Sequence, residues 1–534
     1  MRKRLILFTD CGDTIIDEET QIRNEKTQIV ERADFIPGAD TVLKSLYEEG
    51  YRIAMVADGE VESFRNIFER NGLGYCFEKR IISEEVGIQK PDRLMFQTAM
   101  ERMGLTDLDK PNVVMIGNNL KKDIAGANRF GITSVWIDWS PRYFHTVEEP
   151  DWRPDYTVKT PEELKELIDQ LERKKEAEEK CKILMEASPQ ILYEPDRAFL
   201  DNMKSHNLAG DDLSKYRFWE WPQGVGLYGL WKGFCYSGSE RLLALMREYY
   251  DRQLQTGLPS LNVNTTAPFL TLSFLAEYTG EEKYLEACKK AADEIMHSFP
   301  RTKEGGIQHR TSDCVNEQEL WDDTLFMVVL FLANMGRILK DDEMSAEAER
   351  QFLLHAKYLS DPKTGLWYHG WTFHGNHNFA GAFWGRGNCW VTMGIPEFLT
   401  MGKCSEEGRK QLTDCLQRQV ESLRNYQDAS GMWHTLIDDA DSYLEASATC
   451  GFAYGILKAV KDGLVDSAYL EVVEKAFPAI LDCISDDGVV NQVSYGTPMG
   501  RTDKDFYKKI EIKPMPYGQA LAMLFLIEYI AYIS

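Results

Sequence analysis

Residues 324–335 read TLFMVVLFLANM, apolar on every face of a helix, while residues 281–296 read EEKYLEACKKAADEIM, apolar along one stripe only. A helix that is apolar all round must be buried on all sides, and a striped helix is half-buried. Both kinds recur after Met185, where strand signals nearly vanish. Helical patterning covers 240–254, 268–278, 283–297, 319–338, 344–359, 409–424, 445–460, 467–484 and 518–533. Alternation of the two kinds predicts an inner and an outer layer, a double-layered helical barrel rather than an open solenoid. Between the helices lie long loops rich in Trp, His, Gly and Asn, and such loops on a rigid scaffold commonly carry function.

Before this region the pattern is different. From Leu5 to about Asp138, short apolar runs (LILF, RIAMVAD, VVMIG, SVWID) alternate with helical stretches, as in a parallel sheet with covering helices. The segment 160–182, TPEELKELIDQLERKKEAEEKCK, mixes acidic and basic residues at i,i+3 and i,i+4 spacing behind a Thr-Pro start and reads as an exposed helix. The expected organisation is an α/β Rossmann-like domain over 1–160, a linker helix over 161–184 and an all-α domain over 185–534.

The 534 residues carry 61 Lys+Arg against 85 Asp+Glu, a formal charge of −24, so no diffuse positive field exists to gather nucleic acid or anionic lipid. The start MRKRLILFTD holds too short an apolar run for a signal peptide, and no run of about 18 apolar residues occurs elsewhere. A cytoplasmic protein with no nucleic-acid or membrane partner is expected, with oligomerisation left open. Eleven scattered Cys without CxxC or Cys/His ligand spacing fit reduced thiols.

LILFTDCGDT places Asp10 directly after an apolar strand, and RIAMVADGE, GIQKPD and VVMIGNNLKKDIAGANRFG follow in order. That set resembles the haloacid-dehalogenase-like (HAD-like) phosphohydrolases over about the first 140 residues. The resemblance implies a nucleophile at Asp10, a phosphate-holding Lys90 and an acidic residue at Asp123 that helps bind Mg²⁺ together with Asp10. It is incomplete: the acid/base position is Gly12 with Asp13 one place further on, the phosphate-holding hydroxyl is Ala57, and a usual acidic ligand is Asn118. Loss of a positioned acid/base costs about 10² to 10⁴ in rate, which favours an accessory module over an efficient sugar-phosphate phosphatase.

LNVNTTAPFL, NEQELWDDTLFM, YHGWTFHGNHNFAGAFWGRGNCWV and IDDADSYLEASATCGFAYG, in this order over 185–534, resemble the unsaturated rhamnogalacturonyl and glucuronyl hydrolases of glycoside hydrolase families 105 and 88. The resemblance implies an (α/α)6 barrel, in agreement with the helix pattern. It also implies that an acid at Asp323 protonates C4 of an unsaturated uronic acid, at the non-reducing end of a short pectin-derived oligosaccharide. Water then adds at C5, and no metal or nucleotide is needed.

Read from the residues alone, Asp322 and Asp323 before an apolar helix are equally an N-cap pair. A uronate needs donors for its carboxylate and flat apolar faces for its ring. Arg386 offers a planar five-donor fork, His309 and His369 offer imidazole donors, Trp371, Trp384 and Trp390 offer ring faces, and Asn264 a hydrogen-bonding amide. His374, Asn376, His377 and Asn378 read as a polar loop over the pocket. A carbohydrate-binding or assembly protein without catalysis is the alternative from another class.

Overall fold

A computed structural model describes residues 3–533. The chain divides into two compact units, one ending at Glu176 and one spanning Ala177–Tyr532. The division falls inside the continuous helix Pro161–Leu192, which is longer than the expected linker helix.

The first unit is built on a six-stranded sheet in the order Lys79–Ile82, Arg52–Ala57, Ile6–Thr9, Val113–Gly117, Thr133–Ile137, Tyr156–Val158. Every neighbouring pair runs parallel, with Phe8 opposite Ala54 on one side and Met115 on the other. Alternate side chains enter two cores: Leu7, Ile53 and Val114 pack with Leu43 and Ile67, while Phe8, Ala54 and Met115 pack with Met95, Phe96 and Phe130. Burial on both faces explains why these strands read as unbroken apolar runs. The two edge strands, Lys79–Ile82 and Tyr156–Val158, are short and carry polar residues, so no apolar run marks them.

The second unit is the expected two-layered helical barrel. Six inner helices, Trp221–Ser237, Val263–Thr279, the π-helical turn Leu325–Val329 running into Leu330–Leu339, Gly385–Met401, Ala446–Lys461 and Pro516–Tyr532, each pack on the next, and the last closes the ring against the first. Outside them lie Glu240–Thr256, Glu282–His297, Asp342–Leu359, Glu406–Tyr426 and Leu470–Cys483. The final turns of Pro161–Leu192 join this layer, burying Cys181 and Leu184, while Lys180 Nζ donates to Ile484 O at 2.6 Å. Because an outer helix runs back between each inner helix and the next, all six inner helices begin at one end of the barrel.

Two inner helices, Trp221–Ser237 and Gly385–Met401, lack the apolar run that marks their neighbours. Glycine supplies the close approach instead. A Cβ on Gly224 would lie 2.6 Å from the backbone of Ala267 and Pro268, and one on Gly229 would lie 2.6 Å from Ala520 Cα. The helix expected over 319–338 also begins later. Glu319–Trp321 is a strand paired antiparallel with Gly370–Thr372, a partner about fifty residues away that local pattern cannot register, and the chain turns at Asp322 before entering the barrel.

Candidate active site

The starts of the six inner helices form the mouth of the barrel. Trp221 stacks on Tyr517 with ring centroids 4.6 Å apart and meets Trp390 edge-on at 6.4 Å, and Trp390 meets Phe326 at 5.0 Å. These rings pack on one another at the helix starts. Above them the strand pair holds the catalytic candidates, since Asp322 N donates to His369 O at 3.0 Å.

Asp322 and Asp323 do not cap the helix with their side chains. Both oxygens of Asp322 and Oδ1 of Asp323 are buried without a hydrogen-bond partner among the described residues. Asp322 is sealed, at 0% exposure, and its Oδ2 occupies the space beside Gly387, 2.3 Å from where a Cβ on that glycine would sit. Asp323 keeps 17% of its side chain accessible. Burial pushes both carboxyls up: Asp323 to about 7 against the pull of neighbouring backbone N–H groups and Arg386, and Asp322 further, with the charge of Asp323 adding to the effect. Burial thus favours the protonated form of both carboxyls, more strongly for the sealed member of the pair than for the reachable one.

His309 places Nδ1 2.7 Å from Thr324 Oγ1 and 3.4 Å from Asp323 Oδ1, with its ring stacked on Trp321 at 4.2 Å. His369 shares a 2.6 Å hydrogen bond between Nδ1 and Tyr507 OH and packs on Trp384 at 4.3 Å; its buried Nε2 has no hydrogen-bond partner among the described residues. Burial drives both imidazoles down, His309 to about 3 with His355 and Arg501 adding to it, and His369 well below its ordinary value. Both are neutral, so neither is a cationic seat.

The role expected of Arg386 also changes. It is 0% exposed. Nη1 donates to Ser494 O at 2.7 Å and to Ser494 Oγ, and Nη2 to Tyr495 O and Thr497 Oγ1, each at 3.0 Å. Trp384 and Tyr517 flank the guanidinium, each ring centroid 4.7 Å from Cζ. Both Nη groups are engaged by the loop 494–497, while the buried Nε has no partner among the described residues. Trp384 and Trp390 are likewise buried core, whereas Trp371 and Asn264 are half-buried at the mouth. His374, Asn376 and His377 are exposed and Asn378 is half-buried.

Residues distant in sequence complete the site. Arg501, with 44% of its side chain exposed, lies over Trp321 at 6.0 Å, donates to Asn316 Oδ1 at 2.8 Å and pairs with Glu319. Tyr507 brings its hydroxyl to His369. Glu220, buried and raised to about 8 chiefly by desolvation, accepts from Ser312 Oγ and Asn264. A lone Arg, Tyr or Glu outside a motif carries no sequence signal of this kind.

Residues 196–533 match the model of Glycosyl Hydrolase Family 88. The chain belongs to that family. This family 88 glycoside hydrolase is 35% identical to the unsaturated rhamnogalacturonyl hydrolase YesR of Bacillus subtilis (strain 168) over 311 residues, 58% of this chain and 88% of the relative. A crystal structure described as a possible GH105 member, from Salmonella enterica serovar Paratyphi A, superposes with a TM-score of 0.62 at 40% identity, covering 73% of this chain and 99% of the other. Residues 10–137 match the model of haloacid dehalogenase-like hydrolases. The same region is 31% identical to the pyrimidine 5'-nucleotidase YjjG of Escherichia coli (strain K12) over 134 residues, 25% of this chain, and spans 56% of that relative. Among the described residues no helix is long and apolar enough to cross a membrane.

In the first unit the carboxyl ends of the strands bring Asp10, Lys90 and Asp123 together. Lys90 Nζ lies 2.7 Å from Asp10 Oδ1 and 2.6 Å from Asp123 Oδ1. Burial works against the ammonium, yet Asp10, Asp123 and Asp58 outweigh it and raise its pKa, while burial raises Asp123. Asp13 is fully buried and bonded by Arg142 Nε at 2.8 Å, which with the Glu18 N–H holds its carboxyl below the ordinary range despite burial. It is locked away and is no stand-in for the acid/base. Asn118 is buried, its Nδ2 without a hydrogen-bond partner among the described residues.

Among the described residues no three His, Cys, Asp or Glu are grouped to hold a metal, and Lys90 already takes the Asp123 oxygen expected for Mg²⁺. With Lys90 on both Asp10 and Asp123, and with the unpartnered atom of Asn118 an N–H donor, the residues present do not fit the expected Mg²⁺ site.

Proposed function

We propose that the helical unit removes the 4,5-unsaturated uronic acid from the non-reducing end of lyase-generated pectin or rhamnogalacturonan oligosaccharides, with Asp323 as the acid. The observation that carries this reading is the buried carboxyl pair in which Asp322 is sealed and Asp323 alone keeps an accessible face, with burial raising the Asp323 pKa to about 7. Such an acid keeps its proton at neutral pH yet releases it readily. Protonation at C4 leaves positive charge on C5 and the ring oxygen. Water adds at C5 and returns its proton to the Asp323 carboxylate, and the hemiketal opens to free the aglycone. His309 Nδ1, bonded to Thr324 Oγ1, lies 3.4 Å from Asp323 Oδ1 and lines that carboxyl.

An anionic substrate is supported by the mouth itself, where six helix N-termini converge and each carries partial positive charge, within a chain whose formal charge is −24. Arg386 being buried and held through both Nη groups, Arg501, exposed although paired with Glu319, is the cation suited to the uronate carboxylate, and Trp371 and Trp221 are half-buried rings suited to the sugar.

The test follows the ultraviolet absorbance of the conjugated double bond on a panel of lyase-generated disaccharides. Wild type should bleach it, and Asp323→Asn, folded by circular dichroism, should lose about 10² or more in kcat/KM. Sugar binding by the wild type without bleaching would refute the reading in favour of a non-catalytic binder. Full activity in Asp323→Asn would remove Asp323 from the mechanism.

A further inference from the structure

The strand pair Glu319–Trp321 and Gly370–Thr372 has two faces, and the carboxyl pair belongs to one of them. Trp321 stands on that face with His309 stacked on it. Side chains alternate across a sheet, and Trp371 is opposite Leu320 in register, so these two stand on the other face. Leu320 packs there at Gly306 together with Leu354 of the outer helix Asp342–Leu359. Trp371 meets Tyr358 of the same helix, ring centroids 5.4 Å apart, and Phe373 stands edge-on to both, 4.8 Å from Tyr358 and 6.2 Å from Trp371. Phe373 is buried, whereas Trp371 and Tyr358 are half-buried.

Two ammonium groups flank these rings. Lys357 Nζ lies 4.8 Å from the Tyr358 centroid, and Lys303 Nζ lies 5.2 Å from the Phe373 centroid and 3.5 Å from Asn376 Oδ1. Both lysines are exposed, and neither pairs with a carboxylate among the described residues. In a chain with 85 acidic and 61 basic residues carboxylates are in excess, so two unpaired lysines beside aromatic rings leave a local seat for anions. The loop that follows Gly370–Thr372 joins this surface to the mouth. Asn378 Nδ2 donates to Gly370 O at 3.2 Å and to Tyr358 O at 3.4 Å, and the ring of the next residue, Phe379, lies 4.9 Å from Arg501 Cζ. Asn376 and Phe379 both hold left-handed backbone, φ 54°, which a residue with a side chain adopts only where its surroundings impose it.

We propose that Trp371 and Tyr358, flanked by Lys303 and Lys357, form a platform for the uronate residues of an acidic oligosaccharide that lie beyond the sugar being cleaved. Flat amphipathic rings suit the faces of pyranose sugars, and ammonium groups suit their carboxylates. The platform is on the side of the strand pair turned away from His309, so a sugar resting on it is not the one that meets Asp323. The sugar class follows from the chain's place in a glycoside hydrolase family, and the acidic character follows from the two unpaired lysines. The inference rests on that family membership and not on the double-bond chemistry.

The test titrates the full chain with saturated hexagalacturonate, which has no double bond, by isothermal calorimetry at low salt, with maltohexaose as the neutral control. Wild type should bind the acidic hexamer, more weakly as salt is raised, and should bind the neutral one at least about tenfold less tightly. Lys303→Gln combined with Lys357→Gln changes only exposed side chains and should lower the affinity for the acidic hexamer about tenfold or more. Tyr358→Ala, folded by circular dichroism, should weaken binding of the acidic hexamer by a similar factor through loss of the ring face. No binding by wild type, equal binding of the neutral hexamer, or wild-type affinity in the double lysine variant or in folded Tyr358→Ala overturns the proposal. None of these outcomes is read from bleaching of a double bond, so failure of that reaction and failure of this platform are told apart.

Discussion

Gly387→Ala probes the carboxyl pair without touching a titratable group. The added Cβ would lie 2.3 Å from Asp322 Oδ2, 2.9 Å from Asp322 Cγ and 2.8 Å from Trp384 Cε3. Ordinary carbon–oxygen contact begins near 3.4 Å, so the Asp322 carboxylate must retreat by about 1 Å. It cannot do so alone, because its own backbone is tied to His369 O at 3.0 Å and Asp323 follows directly in the chain. Misplacing a reacting group by about 1 Å costs about 10²-fold, and that loss in kcat/KM is the expected result in the ultraviolet assay. The control is Gly394→Ala on the same helix, where the Cβ meets only Phe352, at 3.7 Å. Lacking a clash, it should keep full activity and gain up to about 1 kcal/mol of stability from helix propensity. Wild-type kcat/KM in Gly387→Ala, or equal losses in the two variants, would refute the argument that Asp322 packing sets the position of Asp323.

Because Asp323 must be protonated and its pKa is raised to about 7, kcat/KM should be flat below pH 7 and fall tenfold per unit above it. Asp322→Asn should leave that limb nearly unmoved, since burial favours the neutral form of Asp322; a large downward shift would show that it carries charge. Arg386→Lys should cost about 3 to 5 kcal/mol in thermal or denaturant unfolding, because an ammonium cannot span the two hydroxyls and two carbonyls held by the guanidinium. Any residual activity should fall equally on the uronate and its methyl ester, and a loss confined to the free acid would return the carboxylate to Arg386. Arg501→Gln should lower kcat/KM on the uronate by about tenfold or more, with a smaller effect on the ester; equal effects on both would show that Arg501 only tethers Glu319 and Asn316.

Local pattern alone determined the two architectures. Burial on both faces of a parallel sheet demands unbroken apolar runs such as VVMIG, and burial all round demands a helix such as TLFMVVLFLANM, so both are legible wherever side chains do the packing. Where backbone packs on backbone, as at Gly224 and Gly229, nothing apolar remains to be read, and two of the six inner helices lack the pattern. The motif around Asp323 was legible because it is contiguous. Tertiary structure decided which carboxyl of the pair is reachable, since the space beside Gly387 that takes Asp322 is built by a helix some sixty residues later. It also decided that Arg386 faces carbonyls of a loop about a hundred residues away rather than solvent. Each of these depends on which segments meet in space, a property that spacing along the chain does not encode.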